Sequence, residues 1–215
     1  MAEKIFSVTG DQYRVIDRKM TEIKRQLNQK EGSPLDPTEV SDLLQRIIEP
    51  NFMSISDLKI WKTINIGTGL KTSEQFCAIA NVGGKITDYA KDIMAKPDFI
   101  SSISSIPVEL DLCVMTTEEI IGKAGTLKEI YAGIKKLGGE LVPAEVGPQL
   151  RLQYFEQPKG EWLLIAMESI KDSVGDPGVF RVRCGDDLWL DTDCDGPGSV
   201  WGSGCRWVFS RPRCK

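Results

Sequence analysis

Apolar residues recur through the first fifty positions at the spacing of a helix. Tyr13, Ile16, Met20, Ile23 and Leu27 follow one another at three and four, with Arg18, Lys19, Lys24 and Arg25 elsewhere on the cylinder. Glu31, Gly32, Ser33 and Pro34 end this helix. Asp36-Pro37-Thr38-Glu39 begins a second one: Asp36 can cap, proline suits the first helical position, and Glu39 completes a capping box. Val40, Leu43, Leu44, Ile47 and Ile48 supply its stripe, and Pro50 closes it. The pattern predicts a helical hairpin over residues 1–50, an appendage for packing, for oligomerisation or for docking a partner protein.

Residues 51–59 read as a linker, and from Ile60 the pattern is mixed. Strands are expected at 60–66 and 108–115, short helices at 72–80 and 86–94, and a well-formed helix at 126–137 before Gly138-Gly139. After Pro143 the runs shorten and β-propensity rises, predicting strands at 150–155, 162–167, 179–184, 188–190 and 207–210. Pro158-Lys159-Gly160 and Gly175-Asp176-Pro177-Gly178 are the turn chemistry between them. The expected class is α+β over residues 60–215, with helices early and a small antiparallel sheet late.

Composition narrows the function by exclusion. The chain of 215 residues contains no histidine, which removes Ser-His-Asp and Cys-His nucleophiles, histidine bases and histidine metal sites. With 27 basic and 31 acidic residues the net charge is −4, without the basic bias of a nucleic-acid binder. No run of about 18 apolar residues predicts membrane insertion. The first thirty residues lack the apolar stretch of a signal peptide, so a cytoplasmic location is expected. Cys77, Cys113, Cys184, Cys194, Cys205 and Cys214 are then expected as reduced thiols.

Several motifs invite chemistry and fail on spacing. Gly67-Thr68-Gly69-Leu70-Lys71-Thr72 lacks the glycine that a phosphate loop places before its lysine. Gly83-Gly84-Lys85-Ile86-Thr87 carries its hydroxyl one place late, with Ile79 where the first glycine belongs. Both read as strand-to-helix turns with a capping threonine. Asp191-Thr192-Asp193-Cys194-Asp195-Gly196 opens like an EF-hand loop, yet Gly202 stands at the twelfth position and the flanks read as strands. A calcium-stabilised structural domain using Asp191, Asp193 and Asp195 is the alternative this leaves; no other cofactor is implied. The four late cysteines lack paired C-x2-C knuckles. Glu118-Glu119 and Asp186-Asp187 read as surface charge, so an enzyme or effector reading has no anchor residue.

The tail is compositionally distinct. Lys, Glu, Gln and Met make up 46 of 215 residues, yet the 43 positions 172–214 contain none, where about nine are expected at the chain's average rate. Turn-rich β structure depletes these residues by propensity. Randomising the first two bases of AAC or AAT codons also cannot yield them, nor Trp. Every residue from Leu190 to Cys205 except Trp201 belongs to the set within reach.

Three blocks resemble an uncharacterised multi-copy family of genome-reduced, ultra-small bacteria: Trp61-Lys62-Thr63 with Ile66 to Thr72, Pro143 to Tyr154, and Gly160 to Glu168. The likeness covers residues 60–215. Members end in a strand similar to Arg206-Trp207-Val208-Phe209-Ser210-Arg211-Pro212-Arg213, preceded by a stretch that differs between copies, as in the variable proteins of diversity-generating retroelements. The resemblance implies a non-enzymatic module that displays diversified residues to a protein ligand on a C-type-lectin-like fold. Its display loop would be 190–205, presenting Asp191, Thr192, Asp193, Cys194, Gly196, Gly198, Ser199, Val200, Gly202, Ser203, Gly204 and Cys205. Trp189, Trp201 and Trp207 would be the fixed scaffold. An acidic, small-residued surface of this kind implies weak binding to a basic patch.

Overall fold

Two helices form where the spacing predicts them. Helix α1 (Gly10–Leu27) starts at Thr9, whose hydroxyl accepts from the Gln12 amide while the Gln12 side chain accepts from the Thr9 amide at 2.9 Å. Helix α2 (Pro37–Ile48) follows. In the computed structural model residues 9–29, 32–48, 58–196 and 198–213 are described, and the chain divides into two units, residues 1–52 and 53–215. The expected stop at Glu31, the Glu39 side-chain cap, the closing Pro50, linker positions 51–57 and Cys214 lie outside the described residues or side chains. Leu58, assigned to the linker by sequence, is a core residue at 1% exposure, and its carbonyl accepts from Arg211.

The second unit is α+β, built on one sheet. Its strands are β1 (Lys62–Ile66), β2 (Gly84–Ile86), β3 (Val108–Thr116), β4 (Trp162–Ile165), β5 (Ile170–Lys171), β6 (Pro177–Cys184), β7 (Leu188–Cys194) and β8 (Arg206–Arg211). The order is β1-β3-β8-β4-β6-β7-β2, with β5 added to β6. Between the strands lie α3 (Thr72–Asn81), α4 (Asp88–Met94), α5 (Pro97–Ser102), α6 (Thr117–Ile121), α7 (Leu127–Lys136) and α8 (Val146–Gln153). The expected small, late, antiparallel sheet is therefore corrected. Early β3 pairs with β8, and the pairs β2–β7 and β4–β8 are parallel. Four consecutive β8 residues, Trp207 to Ser210, are buried, as suits a strand enclosed on both faces.

Two local expectations are overturned. Residues 150–155, expected as a strand, belong mostly to α8. The alternation Gln149-Leu150-Arg151-Leu152-Gln153 mimics a half-exposed strand, but residues 146–151 are all buried, so polarity there does not report a solvent face. Residues 86–94, expected as one helix, split at Thr87: β2 ends at Ile86, and the Thr87 hydroxyl caps α4 by accepting from the Ala90 amide.

The phosphate-loop lookalike has a structural task. On α8 and the residue before it, Glu145, Gln149 and Gln153 stand four apart and grip the segment after β1. Buried Glu145 accepts from the Gly67 amide at 3.0 Å and the Ser104 amide at 2.9 Å. Gln149 donates to the Thr68 hydroxyl at 2.9 Å, and Gln153 accepts from and donates to the Asn65 backbone. Gly67 is obligatory here, because at φ 69° an added Cβ would lie 1.9 Å from the Ile106 carbonyl oxygen.

Candidate functional site

The β6–β7 hairpin carries a charge lattice on one face. Residues two apart on a strand share a face, which places Asp191 beside Asp193 and Arg181 beside Arg183. Asp191 accepts from Arg181 at 2.8 Å, Arg183 at 3.0 Å, the Thr87 hydroxyl at 3.0 Å and the Thr192 amide at 2.9 Å. Asp193 accepts from Arg181 at 2.8 Å. Burial by itself would raise the Asp191 carboxyl, but the hydrogen bonds from Arg181, Thr192, Arg183 and Thr87 outweigh it and hold the group below the usual carboxylate range. Trp189 is half-buried between the Lys85 ammonium, 5.4 Å from its ring centre, and the Arg183 guanidinium at 5.1 Å.

Beyond this lattice the strand ends in a cleft of about 330 Å³. Thr192, Asp193 and Cys194 form one wall, Asp172 and Asp176 another, and exposed Tyr89 of α4 stands across from them. The Cys194 thiol is pushed up from its ordinary value, first by burial and then by Asp176, Asp172, Asp195 and Asp193. A recess in the field of four carboxylates, with an aromatic ring beside it, is suited to an ammonium or guanidinium group.

The chain then leaves the sheet as a loop over residues 195–205 whose backbone is tied down at intervals. Trp201 exchanges two backbone hydrogen bonds with Gly125, at 2.8 and 3.1 Å. The carbonyls of Ser203 and Cys205 accept from the Glu118 and Thr117 amides at 2.9 and 2.8 Å. Trp201 lies edge-on to Trp207 with ring centres 5.0 Å apart, and Trp207 donates to the Thr117 hydroxyl at 3.0 Å. Tyr131 packs edge-on against the other side of Trp207 at 6.2 Å, and its hydroxyl donates to the Met167 carbonyl. Trp201 and Trp207 are buried, while Gly198, Val200, Gly202, Ser203 and Gly204 are exposed.

The positions expected for display thus fall into three groups. Cys194, Gly198, Val200, Gly202, Ser203 and Gly204 face solvent; Thr192, Asp193, Gly196 and Ser199 are half-buried; Asp191 is buried at 8% exposure and Cys205 packs on the core. The display segment is also not one loop, because Asp191 to Cys194 belong to β7. Asp191 stands apart from the exposed positions: its carboxylate accepts from two arginines, a threonine and a main-chain amide. Trp201 and Trp207 are buried anchors, whereas Trp189 is held at the surface by cations.

The carboxylates of the calcium alternative have other partners. Asp191 and Asp193 extend from a strand into arginines, Asp195 accepts from Ser169 at 3.5 Å, and no cluster of three or more Cys, Asp or Glu suited to a metal exists among the described residues. The acidic pairs are surface charge, as expected: Asp187 meets Lys85, Asp186 meets Lys159, and Glu119 caps α6. The five described cysteines are free thiols, and no described helix is long and apolar enough to cross a membrane.

Tyr89, Asp172 and Asp176 were not singled out by sequence. Residues a hundred positions apart meet at this cleft because β2 pairs in parallel with β7, Lys85 opposite Trp189, and no local pattern encodes that pairing. No protein-family model, curated protein or solved structure matches the chain.

Proposed function

We propose that the chain is a non-enzymatic ligand-binding module whose recognition surface runs from the cleft at the end of β7 across the 195–205 loop. The observation that carries this is the separation of backbone from side chains in the loop. Its main chain is clamped to α6 and to the residue before α7's cap by Trp201, Ser203 and Cys205, while Gly198, Val200, Gly202, Ser203 and Gly204 are exposed. At Val200, Gly202, Ser203 and Gly204 such a segment can change its residues without disturbing the scaffold, the arrangement that diversified binding loops require, whereas the backbone at Gly198, with φ 83°, favours glycine. The carboxylates around Cys194 favour a cationic side chain of a protein ligand. Few aromatic anchors are available there, so affinity is modest.

Diversification by a retroelement, a C-type-lectin-like scaffold and a cytoplasmic location are the finer parts of the proposal. They rest on the three sequence blocks, on the missing Lys, Glu, Gln and Met in the tail, and on the unpaired thiols. Sequencing this gene across a natural population of its host tests the central part. Substitutions concentrated in codons 192–204, sparing Asp191, Trp201 and Trp207, are expected. An even spread of changes, or a window as invariant as Pro143 to Tyr154, overturns it.

A further inference from the structure

Among the described residues, the apolar stripe of α1 is left partly exposed. No residue of this helix is buried; Tyr13 and Ile16 are 67% and 54% exposed, and Met20, Ile23 and Leu27 are only half-buried. On α2, Leu43, Ile47 and Ile48 are 50%, 66% and 74% exposed. Scattered exposed apolar residues are ordinary on protein surfaces, but a continuous periodic stripe on each of two consecutive helices is not.

The spacing specifies what fits. Tyr13, Ile16, Met20, Ile23 and Leu27 recur at three, four, three and four, the interval of the two seam positions of a heptad. A helix laid on a sheet or a broad core adds further apolar residues beside that seam. Here the flanking positions are Gln12, Asp17, Lys19, Lys24 and Gln26, so the stripe is as narrow as another helix. The charges indicate which helices. Five basic residues against three acidic ones give α1 a net charge of +2. Residues 36–48 carry three acidic residues against one basic one, a net charge of −2. A second copy therefore offers each helix an apolar helical neighbour of opposite charge. A two-fold arrangement satisfies both stripes of both chains at once.

We propose that the N-terminal unit is a self-association element: α1 and α2 of two copies pack, α1 against the partner's α2, into a four-helix bundle that pairs two recognition domains. Because the substituted side chains are exposed in a single chain, replacing them disturbs assembly without opening a core. All five tryptophans lie between residues 61 and 207, so their fluorescence reports separately on the second unit.

The test is sedimentation equilibrium of the full chain from about 1 to 100 μM, beside Ile16→Glu/Ile47→Glu and an off-seam control, Arg18→Gln. The expected result is a species of twice 23.9 kDa for wild type and control. In the double variant the dimer Kd should rise by at least about a hundredfold with tryptophan emission unchanged. A wild-type monomer at the highest concentration, an assembly larger than two, or a double variant that dimerises as tightly as wild type overturns the proposal.

Discussion

Replacing Asp191 by alanine discriminates between a displayed residue and a structural one. Its side chain is 12% exposed and its carboxylate takes four hydrogen bonds, two of them from arginines at 2.8 and 3.0 Å. Removing one member of a fully buried ion pair costs about 3–5 kcal/mol, because the other charge is left without a partner. The Arg181 and Arg183 side chains are 26% and 35% exposed, so water recovers part of that cost. Arg181 also keeps Asp193 at 2.8 Å. The expected loss is therefore about 2–3 kcal/mol, or roughly 5–10 °C in Tm for a domain of this size. Urea unfolding followed by tryptophan fluorescence measures it, with a lower midpoint and an unchanged slope. Val200→Ala, at a position 66% exposed, should stay within about 0.5 kcal/mol of wild type. If Asp191→Ala unfolds within that same margin, the arginine lattice does not hold the hairpin, and Asp191 returns to the set of display residues.

Gly67→Ala should destabilise by at least about 3 kcal/mol or abolish folding, since its Cβ would strike the Ile106 carbonyl at 1.9 Å. Gly69→Ala, with φ 74° but nothing within 4 Å, should lose only about 1 kcal/mol; equal losses in a urea titration would refute the steric account. Arg213 and Thr63 hold the Asp111 carboxyl down at about 2, so its contribution is present above the unfolded value near 4 and is lost as pH falls toward 2. The difference in Tm between wild type and Arg213→Gln should accordingly close over that interval, and a difference that persists at pH 2 contradicts the pairing. Burial pushes the Cys113 thiol up to about 11, so it should resist iodoacetamide at pH 8 in the folded protein. Cys194 should alkylate faster in Asp176→Asn than in wild type, and mass spectrometry showing no acceleration would remove the carboxylates as a cause of its raised pKa.

The elements legible in the sequence are those whose signal is local. Leu127 to Lys136 announces itself through the Thr126 cap and a one-sided apolar stripe, and β3 through a run of β-formers. Thr72 to Asn81 is helical as expected, but Thr72 is its first residue and Lys71 its N-cap, so the expected threonine cap is not made. The loop over 190–205 was implied by the family resemblance; glycine and serine around Trp201 agree with irregular backbone after Cys194, whereas Asp191 to Cys194 belong to β7. Helix α8 was misread because burial on all sides removes the polar–apolar contrast on which periodicity depends. Its polar side chains find their partners at residues 65–68, some eighty positions away.

What the sequence determined by itself is therefore the set of near-neighbour choices: helices, caps, turns, the α+β class, and a tail unlike the rest of the chain. Tertiary structure decided which segments meet. It placed β8 between β3 and β4, set β2 beside β7, and so brought Tyr89 and Asp172 to the cleft at Cys194. It also took Asp191 out of the exposed set, since a carboxylate three residues from an exposed thiol is indistinguishable in sequence from a displayed one. Only pairing with Arg181 and Arg183 across the hairpin neutralises it. Strand register is fixed by which faces must be buried together, a property of the assembled sheet and of no single stretch of chain.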